Sequence, residues 1–258
     1  MAGLLPLLGL GGCGPGENPP WKAEAPKAPT GGEAAYVAPP IALASSMSQT
    51  GVVVLSGSAA PGATVRLGTP SGEVLSAVAD DKGAWTATAP KVDTVRLYGL
   101  SMVIDDRTVQ SEGYLALTAD GGAAQLRAGT AARVMSPPSR RPRILAIDYD
   151  RDGGAVVSGV GTPSAAVGLR VNRVARGDAM VDRHGRFAIP LSQPLGAGPH
   201  EFEVAAEGGE DLIEAATARQ DPPQGGPYRA TRTAQGWQID WMTPGGGLQT
   251  TLLFDRRG

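Results

Sequence analysis

Apolar positions alternate over short spans in the first half of the chain: Val52-Val53-Val54-Leu55 leads into Gly57, followed by Thr64-Val65-Arg66-Leu67, Val74-Leu75-Ser76-Ala77-Val78 and Trp85-Thr86-Ala87-Thr88. The spans are broken by Pro61-Gly62, Ser71-Gly72 and Asp80-Asp81-Lys82-Gly83. A period of two sends successive side chains to opposite faces, so each span predicts a half-buried antiparallel strand, and the breaks predict tight turns. No stretch carries a helical period. The fold class expected is all-β.

The same pattern returns 102 residues later. Val54-Leu55-Ser56-Gly57 through Leu67 is repeated as Val156-Val157-Ser158-Gly159 through Leu169, and one register pairs Gly57 with Gly159, Pro61 with Pro163, Val65 with Val167, Asp80 with Asp182, Gly83 with Gly185 and Trp85 with Phe187. Internal repetition of this length implies two copies of one architecture. The run Gly-x-x-x-Pro-Gly-Ala-x-Val-x-Leu followed by Asp-Lys-Gly-x-Trp resembles the bacterial immunoglobulin-like repeats of cell-envelope and surface proteins. That resemblance implies a turn at Pro61-Gly62-Ala63 and a second turn at Gly83 that sends Trp85 into a sandwich core; the second copy keeps Pro163, Ala165, Gly185 and Phe187 but has Ser164 in place of Gly62.

Upstream, Ile41-Ala42-Leu43-Ala44 and Arg143-Ile144-Leu145-Ala146 give each copy an opening strand in the same register. Downstream, Thr94–Tyr98 and Glu201–Val204 predict later strands outside the register, and a looser echo pairs Gly113–Thr118 with Pro227–Arg232. Each unit is therefore expected to be a sandwich extended by one or more hairpins. The boundaries expected are 40–138 and 142–258, two tandem immunoglobulin-like β-sandwich domains.

Composition adds an amino-terminal reading. The only cysteine among 258 residues is Cys13, preceded by an apolar stretch from Leu4 to Leu10 and by Leu10-Gly11-Gly12. An aliphatic residue at −3 with small residues at −2 and −1 has the shape of a bacterial lipobox, so residues 1–12 read as a lipoprotein signal segment and Cys13 as the lipidated residue. The pattern departs from a typical signal in lacking Lys or Arg before the apolar stretch. Gly14 rather than Asp after the cysteine implies, by resemblance to enterobacterial sorting, the outer membrane. Residues 13–39 carry six prolines among Gly, Ala, Glu and Lys, a tether reaching about 30 Å if flexible and about 80 Å if polyproline II. With 23 basic and 25 acidic residues the chain has no electrostatic footprint for nucleic acid.

Candidate chemistry is sparse. Asp148-Tyr149-Asp150-Arg151-Asp152-Gly153 matches the opening of a calcium loop, with Asp148, Asp150 and Asp152 as the ligands. The twelfth position is Gly159, and the counterpart in the first copy, Ser46–Gly51, holds no acid, so a polar turn is the first expectation and Ca2+ the alternative. Trp237 and Trp241 share one face of a carboxy-terminal strand and, with Tyr228, could stack on sugar rings or a partner, although such rows also build cores. His184 and His200 lack metal-ligand spacing, and no Gly-x-Ser-x-Gly elbow occurs. No catalytic residue and no cofactor beyond Ca2+ is expected. The function expected is a non-catalytic, lipid-anchored envelope protein, a spacer and module for binding other envelope proteins, with binding to cell-wall glycans through the aromatics as the alternative. Features held by the second copy alone, the aspartate cluster and the tryptophan strand, are where specific activity would have to sit.

Overall fold

The repeat unit is built five strands at a time. In a computed structural model that describes residues 36–255, the first copy supplies β1 (Ile41–Met47), β2 (Val53–Ser58), β3 (Thr64–Gly68), β4 (Val74–Val78) and β5 (Ala84–Ala89). The second supplies β11 (Arg143–Asp150), β12 (Ala155–Val160), β13 (Ala166–Val171), β14 (Val174–Met180) and β15 (Arg186–Pro190). Between the two sets lie β6 (Arg96–Ile104), β7 (Arg107–Gln110), β8 (Tyr114–Leu117), β9 (Ala123–Leu126) and β10 (Arg133–Val134). After them come β16 (Gly198–Ala206), β17 (Gly209–Thr217), β18 (Tyr228–Arg232), β19 (Gly236–Met242) and β20 (Leu248–Phe254). Every pairing is antiparallel, and the all-β expectation holds throughout the described residues. The lipobox, Cys13 and most of the tether lie outside those residues.

The repeat register survives in atomic detail. Both opening strands carry a bulge at the same point, between Ala42 and Ala44 and between Ile144 and Ala146. Gly57 lies opposite Trp85 and Gly159 opposite Phe187. Asp80 Oδ1 accepts from the Lys82 and Ala84 amides, and Asp182 Oδ1 accepts from those of His184 and Arg186, all between 2.7 and 2.9 Å. The glycine missing from the second copy is replaced in conformation as well as in position: Ser164 takes φ 66° where Gly62 takes φ 72°.

Four sheets result. Strands β1-β2-β5 form the first and β10-β9-β8-β6-β3-β4, with β7 beside β6, the second; β15-β12-β11-β20-β19-β18 form the third and β14-β13-β16-β17 the fourth. Val53, Leu55 and Trp85 of the first sheet meet Val65, Leu67, Leu100 and Met102 of the second in one core. Ile147, Val157 and Phe187 of the third meet Val167, Leu169, Phe202 and Val204 of the fourth in another. These are the two predicted sandwiches.

A third core joins them. Long strand β6 pairs first with β8, through Arg96–Tyr98, and then with β3, so the hairpin β8-β9 extends the second sheet. In the other half the hairpin β19-β20 joins a different sheet, pairing with the open edge of β11. The two extensions face each other, and Leu97, Ala116 and Leu126 pack there against Ala146, Trp237, Ile239, Trp241 and Leu253. Alternation makes this work: Tyr98, Leu115 and Leu117 turn into the first sandwich while Leu97 and Ala116 turn into the seam. The sandwiches foreseen at 40–138 and 142–258 are thus continuous with one another from Val37 on, with apolar side chains on both faces of the middle sheets.

Candidate functional site

Trp237 and Trp241 occupy the seam. Trp241 is fully buried, stands edge-on to Tyr114 with ring centroids 5.9 Å apart, and donates from Nε1 to Thr251 Oγ1 at 3.2 Å. Trp237 is 9% exposed, and Arg232, held by Asp255 through two hydrogen bonds of 2.7 and 2.6 Å, lies over its ring. Tyr228 is half-buried and its hydroxyl donates to the Val95 carbonyl at 3.3 Å. The three residues form a core rather than the alternative stacking platform: an alternating strand places a tryptophan row on one face without deciding what covers that face, and here β8 and β9 cover it.

The aspartate cluster is also divided by the fold. Asp148, on the seam face of β11, is 3% exposed; its Oδ2 accepts from the Ala132 amide at 2.6 Å, and its Oδ1 from Thr251 Oγ1 at 2.6 Å and Gln249 Nε2 at 3.4 Å. Asp150 closes the following turn, its Oδ1 accepting from the Asp152 and Gly154 amides at 2.9 Å. Ser48 does the same work in the first copy, accepting from Val52 at 3.1 Å. Asp152 is exposed. The turn thus accounts for Asp150, the seam accounts for Asp148, and among the described residues no three ligating side chains converge as a calcium site requires.

Around Asp148 a polar strip crosses the seam. Ser158 Oγ donates to the Ala132 carbonyl at 3.0 Å, so Ala132 is held by the second sandwich at both its amide and its carbonyl. Gln249 Oε1 accepts from the Gly129 amide at 2.9 Å. The segment 127–134 of the first half is fastened in this way to β11, β12 and β20 of the second.

Burial raises the Asp148 carboxyl from 3.8 to about 6, outweighing the hydrogen bonds from Ala132, Thr251 and Gln249 and the charge of Arg127, which all act downward. Between those two values the folded form keeps a proton that the unfolded chain has released. Stability is accordingly expected to fall by about 3 kcal/mol as pH rises through that window, and to change no further on this group's account at higher pH. Asp148→Asn, whose amide can accept from Ala132 and donate to Thr251, should remove this slope. Urea denaturation of both proteins at several pH values checks it, and parallel curves would contradict it.

Beside this strip opens a cleft of about 290 Å3 whose walls come from both halves: Arg127 and Arg133 from one, Arg186, Leu145, Met180 and Phe187 from the other. Arg133 Nη2 donates to the Ala42 carbonyl and Arg186 Nη1 to the Val134 carbonyl, the latter at 2.7 Å. Burial and then the charges of Arg186 and Arg127 hold the Arg133 guanidinium below its ordinary value. Burial lowers Arg186 as well. None of the three arginines forms an ion pair among the described residues. They lie up to 59 positions apart in the chain and form no motif; only the repeat hints at one of them, placing Arg186 where the first copy has Ala84.

No family model and no curated protein matches the chain. A solved structure similar to it is described as a biofilm associated protein, BSP domain. The two are 18% identical with a TM-score of 0.25, over 72% of this chain and 30% of that one. The chain therefore spans under a third of that neighbour's length, and a likeness of this degree bears on neither partner nor activity.

Proposed function

We propose that this chain is a non-catalytic spacer and interaction module of the bacterial cell envelope, held to a membrane by a lipid on Cys13. The observation that carries the reading is the third core: Trp241, Ile239 and Leu97 make the two sandwiches continuous, so they move as one body rather than as two independent domains. Such a body behind a Pro/Gly-rich tether positions a binding surface at a distance from its anchor. Exposed apolar side chains fall on the outer edge strands, with Val78 on β4, Val174 and Met180 on β14 and Leu212 on β17, and these edges are the surface offered to other envelope proteins. Glycan binding through the tryptophans loses its support, because their ring faces are covered.

Cys13→Ala tests the anchor. The wild-type protein is expected in the membrane fraction of the cells that make it and the variant in the soluble fraction, since removing the acyl acceptor removes the membrane affinity. Continued membrane association of the variant would overturn the lipid anchor.

A further inference from the structure

The cleft between the sandwiches holds more positive charge than the fold uses. Three half-buried arginines line it against a single acid, Asp182, whose Oδ1 accepts from two amides of its own turn and whose charge acts on Arg186. Behind its wall, Asp148 gives its oxygens to Ala132, Gln249 and Thr251. Arg133 and Arg186 each place one nitrogen on a backbone carbonyl, which fixes the guanidinium and leaves its other donors free, while Arg127 makes no side-chain hydrogen bond among the described residues. Three guanidinium groups against one lining carboxylate leave a net positive charge that repels itself, and bringing the arginines partly out of water adds to that cost. An oxyanion accepting several N–H donors would offset both.

We propose that this cleft binds a small phosphomonoester whose phosphate is held by Arg127, Arg133 and Arg186 and whose apolar group lies against Leu145, Met180 and Phe187. The volume, about 290 Å3, suits a ligand of that size and lies near the lower end for small-molecule sites. The repeat supplies an internal control. At the matching place in the first copy Arg186 is Ala84, and the segment that brings Arg127 and Arg133 to the second copy is the one that links the two halves. The charge is therefore a property of this joint and not of the repeat. Because the walls come from both halves, a bound ligand would also brace the seam.

Calorimetric titration of the full chain with inorganic phosphate and with phenyl phosphate, at constant ionic strength, tests the assignment. Both are expected to bind saturably at one site, and phenyl phosphate about tenfold more tightly because its ring finds the apolar wall. Arg127→Gln should raise both dissociation constants about ten- to a hundredfold, the worth of a charge-assisted hydrogen bond, with the melting temperature of the free protein no lower than that of the wild type. Ala188→Glu, on the exposed face of β15 at the cleft, sets a carboxylate against the phosphate without touching an arginine and should abolish binding. Absence of saturable binding by either anion would overturn the proposal, as would undiminished binding in both variants.

Discussion

Trp241→Ala is expected to lower stability by about 3 to 5 kcal/mol, the range for removing a large buried aromatic from a core that cannot close around the gap. The site offers little room for collapse: the ring is fully buried, Tyr114 stands edge-on to it, and Leu97, Ala116 and Leu126 reach the same core from the opposite sheet. The change also takes a donor from Thr251, whose hydroxyl links the ring to Asp148. Trp241→Phe loses that bond and only part of the buried volume, so it should cost less, about 1 to 2 kcal/mol. The loss should moreover alter the shape of unfolding. Each outer sandwich has its own core, and with the joint weakened the two should melt as separate transitions in urea where the wild type melts as one. Circular dichroism and intrinsic fluorescence followed together would show this; a cost under about 1 kcal/mol would mean that the third core does not couple the halves.

Gly159→Ala is the second large effect, expected at about 3 kcal/mol or more. A β-carbon at Gly159 would lie 1.9 Å from the Arg143 carbonyl oxygen and 2.6 Å from Phe187 Cζ; at Gly57 the corresponding distances are 2.0 Å to the Ile41 oxygen and 2.5 Å to Trp85 Cζ2. The aromatic of β5 or β15 lies across a strand that has no side chain there, and the bulge in β1 or β11 brings a carbonyl in from the other side. A ring can turn aside, but the carbonyl belongs to a paired strand and can yield only by breaking register. Gly168→Ala is the matched control, since that strand glycine has open space around its β-carbon position and alanine there should be neutral or slightly stabilising. Equal stability of the Gly159 and Gly168 variants under thermal denaturation would refute the account.

Gly159 was legible in the sequence because its role is local and occurs twice: a glycine facing an aromatic across two neighbouring strands leaves the same trace in both copies. The Asp80 and Asp182 turns are legible for the same reason, each being closed by backbone amides within four residues. Asp148 shows the opposite. In one dimension it belongs with Asp150 and Asp152, whereas in the fold its carboxyl faces Ala132 from the other half and Thr251 from the last strand. The features peculiar to the second copy, the aspartates and the tryptophan strand, hold the joint in Asp148, Trp237 and Trp241, and the cleft arginines carry no sequence signature.

Taken alone, the sequence determined the strand class, the duplication, the turns and the alternation of inner and outer faces, all of which follow from contacts between near neighbours or from a register kept in both copies. Only the tertiary structure decided which sheet each additional hairpin would join, with β8 going to β6 and β20 to the bare edge of β11. Strand edges present the same backbone donors and acceptors whatever their side chains, so an open edge does not name its partner in sequence. That choice set the two extensions face to face, buried the tryptophans between them and gathered three distant arginines into one cleft.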